Sequence, residues 1–423
     1  MKVPERAQKF VNVTFCLVAV AGIGWSGIDI WQYGYGRYQI DQACAGLVPA
    51  GRVLTLSAAG GTVSHRVADE GTIDLDDGLP QDCELFSTEA GEKYGTDSGE
   101  RWFFTGAVGA LPADKGLFPE EPWDDLLDPN GPYGDHTYPD QPLGGGIAGI
   151  VTDSGVTVEL PCTDGESDGG PGEVNALWAR ASLMATGSPF TEDGQLTAHD
   201  RAVLAETAVI TANRLAGRQG CAERLPDPPD DIPALTEGPT PAAEADADGT
   251  CGWYRKAGLA SRTLFADQVL ESRTDAKVWD ERCALVLSED RAYALWSAHA
   301  AELSKHGIDS PDRPGQYFAS FHTYSGEEAK NIRLPDLDSD NSTSPLLAAP
   351  GEAGRDRDEP IWWASSVCAG QPEIHTMTLS SGYARLATAD YEKVFRTYAE
   401  DAMKRRGCTD LTFPTHADFT DQT

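Results

Sequence analysis

Cysteine is the residue type whose chemistry the sequence indicates most clearly. The chain of 423 residues contains nine cysteines. Cys16 lies inside a long apolar run, where a thiol behaves as a small hydrophobic group. The other eight are Cys44, Cys83, Cys162, Cys221, Cys251, Cys283, Cys368 and Cys408. An even number of cysteines in an oxidising compartment indicates disulfides, so these eight predict four. No C-x-x-C spacing occurs, so neither a thioredoxin-like motif nor a zinc ribbon is supported.

A run of alternating carboxylates is the candidate metal site. Asp336, Asp338 and Asp340 have the D-x-D-x-D spacing of a calcium-binding loop, in which several oxygens converge on a hard cation. Asn341 stands where such a loop has glycine, and Leu347 stands where it has a bidentate glutamate. Ca²⁺ is therefore the one candidate cofactor, and a solvated acidic loop is the alternative interpretation.

Adjacent tryptophans form the candidate binding site. Trp362 and Trp363 lie in a predicted strand, so their side chains point to opposite faces and one of them leaves the local core. An aromatic ring at a surface can bind glycans or peptides, and packing between modules is the alternative.

Local catalytic motifs are missing from the sequence. Neither G-x-S-x-G nor H-E-x-x-H occurs, and the eight histidines are scattered, although His322 and His375 could meet in space. Gly144-Gly145-Gly146 follows a Pro-rich stretch, which favours a flexible joint over a phosphate loop. We therefore predict no catalytic residue, and we consider the chain more consistent with a non-enzyme.

The longest apolar run, residues 10–31, predicts a transmembrane signal anchor. About 20 apolar residues span a bilayer, and the basic residues Lys2, Arg6 and Lys9 precede the run. That bias places residues 1–9 in the cytoplasm and the rest outside, with aromatic residues at the outer interface. Two alternatives remain: cleavage after the A-x-A sequence at residues 19–21, and a buried core helix.

Composition excludes some partners. The net charge is −34 and the isoelectric point is near 4.4, so 33 basic residues among 67 acids cannot form a general nucleic-acid-binding face. On a prior of about 150 residues per domain, the chain has two to four domains.

The remaining sequence divides into repeated modules. The predicted boundaries are module A1 at 41–110, a Pro/Gly/Asp-rich linker at 111–145, module B1 at 146–225, an acidic Pro-rich linker at 226–249, module A2 at 250–306, an irregular acidic segment at 307–360 and module B2 at 361–415. Cys44 and Cys251 are 207 positions apart, and Cys162 and Cys368 are 206 apart. This spacing indicates a duplicated A–B pair.

Cysteine order within the modules suggests their pairing. The predicted disulfides are Cys44–Cys83, Cys162–Cys221, Cys251–Cys283 and Cys368–Cys408. Eight cysteines allow 105 pairings, so order alone leaves the others open. The predicted fold class is α+β: an N-terminal transmembrane helix followed by duplicated small disulfide-stapled modules.

Short phrases in these modules resemble a known kind of protein. Ala43-Cys44-Ala45-Gly46, Arg218-Gln219-Gly220-Cys221 and Arg405-Arg406-Gly407-Cys408 are similar to phrases in uncharacterised actinobacterial single-span membrane proteins with disulfide-bounded extracytoplasmic modules. The resemblance implies a topology and no activity.

Two functions follow from these features. The first is a membrane-anchored, extracytoplasmic, non-enzymatic interaction or sensor protein of the bacterial cell envelope. Its partners would be the bilayer and an envelope protein or glycan. The alternative is an envelope hydrolase that uses a carboxylate pair brought together by the fold.

Overall fold

Two α+β units make up the part of the chain that the structure, a computed structural model, describes. The described residues are 30–66, 71–94, 99–111, 140–162, 174–183, 196–235, 238–311, 315–326, 328–330, 332–334, 346–347, 350–356 and 359–420. We call residues 30–235 the first unit and residues 238–420 the second unit. Each is built on one antiparallel sheet, which confirms the predicted α+β class.

The first unit contains four helices and seven strands among its described residues. In chain order they are α1 (described over 30–43), α2 (Ala50–Val53), β1 (Val63–Ser64), β2 (Gln81–Ser87), α3 (Thr88–Tyr94), β3 (Arg101–Leu111), β4 (Gln141–Gly144), β5 (Ile147–Val151), β6 (Gly155–Pro161), β7 (Ala176–Leu183) and α4 (Ala198–Arg218). The strand order in the sheet is β1-β2-β3-β7-β6-β5-β4.

The second unit follows the same plan. Its described elements are β8 (Thr240–Pro241), α5 (Gly252–Ala257), β9 (Gln268–Glu271), β10 (Asp280–Val286), α6 (Glu289–Leu303), β11 (Phe318–Ser325), β12 (Arg333–Leu334), β13 (Leu346–Leu347), β14 (Gly354–Arg355), β15 (Ile361–Cys368), β16 (Gln371–Leu379), α7 (Ser381–Arg406), β17 (Thr409–Thr412) and α8 (Ala417–Thr420). Its main sheet has the order β14-β15-β16-β11-β10-β9-β8.

The two sheets share one topology. The strand order β1-β2-β3-β7-β6-β5 in the first sheet matches the strand order β9-β10-β11-β16-β15-β14 in the second. A shorter helix follows β2 and β10, and a long helix follows β7 and β16. The duplication predicted from cysteine spacing is therefore visible in the fold.

The A and B modules are not separate bodies. Strand β3 of A1 pairs with β7 of B1 from Phe104–Leu183 to Leu111–Ala176. In the second unit, β11 pairs with both β10 and β16. Each predicted A–B pair is one sheet, so the boundaries between modules A and B need correction.

Two predicted connectors are structured, and most of a third lies outside the described residues. In the 226–249 segment, Ala242 and Ala245 are buried and β8 pairs with β9. The 307–360 segment contributes β11, which lies between β10 and β16 in the sheet. Residues 112–139 of the remaining linker lie outside the described part. Gly145 and Gly146 have positive φ and form the tight turn between β4 and β5, rather than a flexible joint.

Long helices complete each core. The sequence predicts a helix after Thr197, because apolar residues recur from Val203 to Ala216 with a 3.6-residue period. The structure buries this stripe of α4 against the sheet, including Val203, Leu204, Ala208 and Leu215. Thr197 caps this helix by accepting a hydrogen bond from the Asp200 backbone N–H at 3.1 Å. In the second unit, the sequence predicts a helix from Ala389 to Arg406. The structure begins this helix, α7, at Ser381, eight residues earlier.

The four predicted disulfides are all present. Cys44–Cys83 and Cys162–Cys221 stabilise the first unit, and Cys251–Cys283 and Cys368–Cys408 stabilise the second. In each unit, the first disulfide joins the start of the unit to a strand, which is β2 in the first unit and β10 in the second. The second disulfide joins the end of a strand, β6 or β15, to a cysteine just beyond the long helix, α4 or α7.

The units contact each other through a small apolar cluster. Val278 and Trp279 of the second unit pack with Leu111, Ile150 and Ala176 of the first. Nearby, the Gln141 side chain accepts a hydrogen bond from the Arg273 N–H at 3.1 Å. The segment just before β10 is therefore the contact element between the units.

The predicted anchor falls almost wholly outside the described residues, which begin at Ile30. None of the helices in the described ranges combines the length and the apolar composition needed to cross a bilayer.

Candidate functional site

A chain of buried polar side chains lies between α7 and the second sheet. His375 Nδ1 lies 2.9 Å from Thr323 Oγ1, and Thr323 Oγ1 lies 2.8 Å from the Tyr398 hydroxyl. On its other side, His375 Nε2 lies 2.9 Å from Ser366 Oγ. All four residues are buried, so each hydrogen bond satisfies a group that water does not reach.

Two ion pairs with buried carboxylates continue this row of polar side chains towards the end of α7. Arg405 donates to both carboxylate oxygens of Glu281, and it also donates to Asp401 Oδ2 at 2.7 Å. Arg406 Nε donates to Glu373 Oε1 at 2.6 Å. The pairing of consecutive arginines with carboxylates on different strands fixes the last turn of α7 against the sheet.

Burial determines the protonation state of His375 and influences that of Glu373. Burial lowers the pKa of His375 to about 3, and the positive charges of Arg406 and Arg405 add to this effect. Burial also raises the pKa of Glu373, although the Arg406 charge opposes it. His375 is therefore a neutral imidazole over the physiological pH range, and it shares hydrogen bonds with hydroxyl groups on both sides.

The opposite face of the same sheet carries a Ser–His–Asp arrangement. Ser320 Oγ lies 3.1 Å from His322 Nε2, and His322 Nδ1 lies 3.1 Å from Asp280 Oδ1. The Tyr324 hydroxyl also lies 3.1 Å from His322 Nδ1. Strand alternation brings Ser320, His322 and Tyr324 to one face, and β10 supplies the carboxylate.

Asp280 is held as a carboxylate. Burial opposes its ionisation, but the neighbouring charges of Arg282 and His322 outweigh burial and lower its pKa to about 2. Arg282 Nε donates to Asp280 Oδ2 at 2.6 Å. The connectivity is that of a nucleophile, a base and an orienting carboxylate. Ser320, however, is 1% exposed.

Strand register allows the two units to be compared residue by residue. Cys83 pairs with Gly106 in the first sheet, as Cys283 pairs with Phe321 in the second. Continuing across the sheets, the second unit has Thr323, His375, Ser366 and Glu373 where the first has Val108, Ala179, Leu160 and Leu177. The four residues of the first unit are apolar and buried.

The same comparison applies to the Ser–His–Asp face. Ser320 and His322 correspond to Thr105 and Ala107, and the place of Asp280 is taken by Pro80. At the helix ends, Arg405 corresponds to Arg218, which donates to the backbone carbonyl of Ala45 at 2.5 Å instead of to a carboxylate. The shared fold therefore does not require the polar clusters, which distinguish the second unit from the first.

The tryptophan prediction needs correction. Trp362 stacks on Phe419 and donates its indole N–H to the Asp418 carbonyl at 2.8 Å. Trp363 lies on the other face, as the strand alternation predicts, but it packs against Gly354 in a second apolar cluster. Both residues are buried, so neither presents a ring to a ligand.

The candidate metal ligands remain unassigned. Asp336, Asp338 and Asp340 lie outside the described residues, so the calcium loop stays a prediction. Among the described residues, one trio has potential ligand atoms close together: Cys368, Glu373 and Cys408. The two cysteines form a disulfide, and a disulfide offers no thiolate to a metal.

Sequence reasoning missed the polar clusters because their members come from distant strands. Asp280 and His322 are 42 residues apart, and Thr323 and Tyr398 are 75 apart. A usable signal was nevertheless present: aligning the halves on their cysteines places charged and hydroxyl residues of one half on apolar residues of the other.

Comparison with other proteins gives no further assignment, since the chain matches no protein-family profile, no curated protein and no solved structure.

Proposed function

We propose that the chain is a membrane-anchored, extracytoplasmic interaction or sensor protein of the bacterial cell envelope, held by residues 10–31 and without catalytic activity. One observation carries this proposal. The described residues contain six exposed large apolar side chains, and five of them lie in the described part of α1: Ile30, Trp31, Tyr33, Tyr35 and Tyr38.

Interfacial aromatic residues mark the point where a chain leaves a bilayer. The exposed group on α1 begins with the last two residues of the apolar run 10–31 and continues beyond it. Trp31 stacks on Tyr35 with ring centroids 5.4 Å apart, and Arg37 lies over the Tyr33 ring. Aromatic rings with an adjacent cation suit the headgroup region, where one side of the helix meets lipid and the other meets water.

The disulfides support the compartment. Four disulfides among the described residues are typical of proteins that fold on the oxidising side of a membrane. The polar clusters support a role other than turnover, since their side chains are buried and bonded to one another. The predicted carboxylate pair has no support here, because Glu281 and Glu373 are each paired with an arginine.

Protease treatment of intact protoplasts tests the anchor. Since residues 1–9 are predicted inside and the two units outside, digestion should remove both units and leave a short membrane-bound fragment. Detection by an N-terminal tag and a C-terminal tag separates the two ends. Full-length protein that survives on intact protoplasts, and is cut after they are lysed, would place the units in the cytoplasm and contradict the proposal.

A hydrolase that uses serine is the second candidate, and the Ser320–His322–Asp280 connectivity favours it. It ranks second because a nucleophile that is 1% exposed does not reach a substrate carbonyl. We therefore expect no reaction of the folded protein with a fluorophosphonate probe. Labelling at Ser320 that is lost in both Ser320→Ala and His322→Ala, with Ser366→Ala as the matched control, would establish the hydrolase instead.

A further inference from the structure

One disulfide differs from the other three in its access to solvent. Cys368 is partly exposed and Cys408 is 8% exposed. The other six bonded cysteines are 0–3% exposed. Thiol–disulfide exchange requires an incoming thiolate to reach a sulfur atom along the S–S axis. Among the described disulfides, Cys368–Cys408 is therefore the one most open to attack.

A buried carboxyl group lies against the same disulfide. Glu373 Oε2 is 3.2 Å from Cys408 Sγ, while Glu373 Oε1 accepts the hydrogen bond from Arg406. The equivalent disulfide of the first unit, Cys162–Cys221, has Leu177 at the place of Glu373. The protein thus contains two disulfides at the same place in the same fold, of which one has a carboxyl partner.

We propose that Cys368–Cys408 is an exchangeable disulfide that a dithiol protein reduces and reoxidises, and that Glu373 transfers the proton to and from Cys408. The other three disulfides are structural. The site adds a redox reaction to the second unit and does not depend on how the chain is anchored.

The reaction balances with a dithiol as the reductant. A thiolate of the dithiol attacks Cys368 Sγ, which forms a mixed disulfide and breaks the bond to Cys408. The electron pair passes to Cys408 Sγ, which takes the proton from the Glu373 carboxyl group. The second thiol of the reductant loses its proton to solvent and attacks the mixed disulfide. The reductant leaves as a disulfide, and Cys368 and Glu373 each take a proton from solvent.

Two features favour this direction of attack. Cys368 is the more exposed of the two bonded cysteines, so an incoming thiolate reaches its sulfur atom more readily. After reduction, the Cys408 thiol can donate a hydrogen bond to Glu373 Oε2, whereas a Cys221 thiol would face the apolar Leu177. The reduced state is therefore better accommodated in the second unit than in the first. Burial also raises the pKa of Glu373 above its usual value, which favours the protonated carboxyl group that this step uses.

Reduction of the folded, full-length protein with dithiothreitol tests the proposal. Thiols are trapped at intervals with isotopically distinct alkylating reagents, and each cysteine is quantified by mass spectrometry. We expect Cys368 and Cys408 to be alkylated first, with a rate at least about tenfold above that of Cys162 and Cys221, since access and leaving-group stabilisation both control exchange. Equal rates for all four disulfides, or later opening of Cys368–Cys408, would overturn the proposal.

The role of Glu373 is tested by Glu373→Gln. The change should slow reduction of Cys368–Cys408 about tenfold or more, because a positioned proton donor contributes at least that much in general acid catalysis. It should also remove the contribution of the Glu373 carboxyl group from the pH dependence of the rate. Glu281→Gln is the matched control, because Glu281 lies in the same ion-pair network and is bonded to Arg405, whereas Glu373 contacts Cys408 Sγ. Equal effects of both variants on rate and pH profile would show that Glu373 is merely structural.

Discussion

Replacing Arg406 with methionine should lower the free energy of unfolding by about 3–5 kcal/mol at neutral pH, because removal of one partner leaves a buried charge uncompensated. The side chains of Arg406 and Glu373 are 5% and 3% exposed, so water does not replace the lost guanidinium. Denaturant unfolding followed by circular dichroism measures the change. The double variant Arg406→Met/Glu373→Leu should recover most of the stability, since leucine occupies this place in the first unit.

The cost of Arg406→Met should depend on pH in a defined direction. Burial raises the folded-state pKa of Glu373 above 4.5, and loss of Arg406 raises it further. The folded protein then binds a proton that the unfolded chain releases, so the variant is penalised fully above the folded-state pKa. The penalty should shrink as the pH falls through that pKa and be smallest below 4.5. A cost that is constant between pH 4 and pH 8 would contradict this assignment.

Removing the Cys162–Cys221 disulfide should destabilise the protein by about 4 kcal/mol, the chain-entropy value for a loop of its size. The two cysteines are 59 residues apart, and they join the end of β6 to the residue beyond α4. The paired change Cys162→Ala/Cys221→Ala avoids an unpaired thiol. Its unfolding midpoint in denaturant gives the measurement.

The matched control for that experiment is Cys368→Ala/Cys408→Ala in the second unit. Its 40-residue separation predicts a loss that is smaller by a few tenths of a kcal/mol in the same entropic account. If the first variant unfolds with the stability of the wild type, then the core of the first unit, and not its disulfide, fixes the end of α4.

The α4 helix could be predicted because its signals are local. The cysteine pairing could be predicted because each of the eight cysteines bonds to the one next to it in chain order. Thr197, the apolar stripe and Gly220 mark the start, the face and the end of α4 within 24 residues. These helix signals depend on residues that are close in sequence, and the structure confirms both the helix and the pairing.

Strand pairing could not be predicted in the same way. Strands β3 and β7 are neighbours in the sheet although more than 60 residues separate their ends in the chain. Strand β11 was missed because both of its faces are buried. His322 and Thr323 therefore follow one another without the polar–apolar alternation of a half-exposed strand.

The Pro-rich segment before the second unit was misread for a physical reason. Proline cannot donate a ladder hydrogen bond, so it is confined to edge strands, strand starts or bulges. Pro241 lies in β8, the edge strand of the second sheet. The proline content of this segment excludes a central strand, but it is compatible with both an edge strand and a linker. Composition alone therefore does not distinguish these two.

The position of the exposed aromatic residues on α1 limits how far the protein can reach. This helix enters the first core directly: Ile40 and Ala43 are buried, and Cys44 is bonded to Cys83. At a rise of about 1.5 Å per residue, the helix covers about 15 Å between Ile30 and Ile40. With the anchor proposed above, the first unit has no stalk and stands within about three helical turns of the bilayer, its orientation set by the helix. Partners of the first unit must then come to the membrane surface.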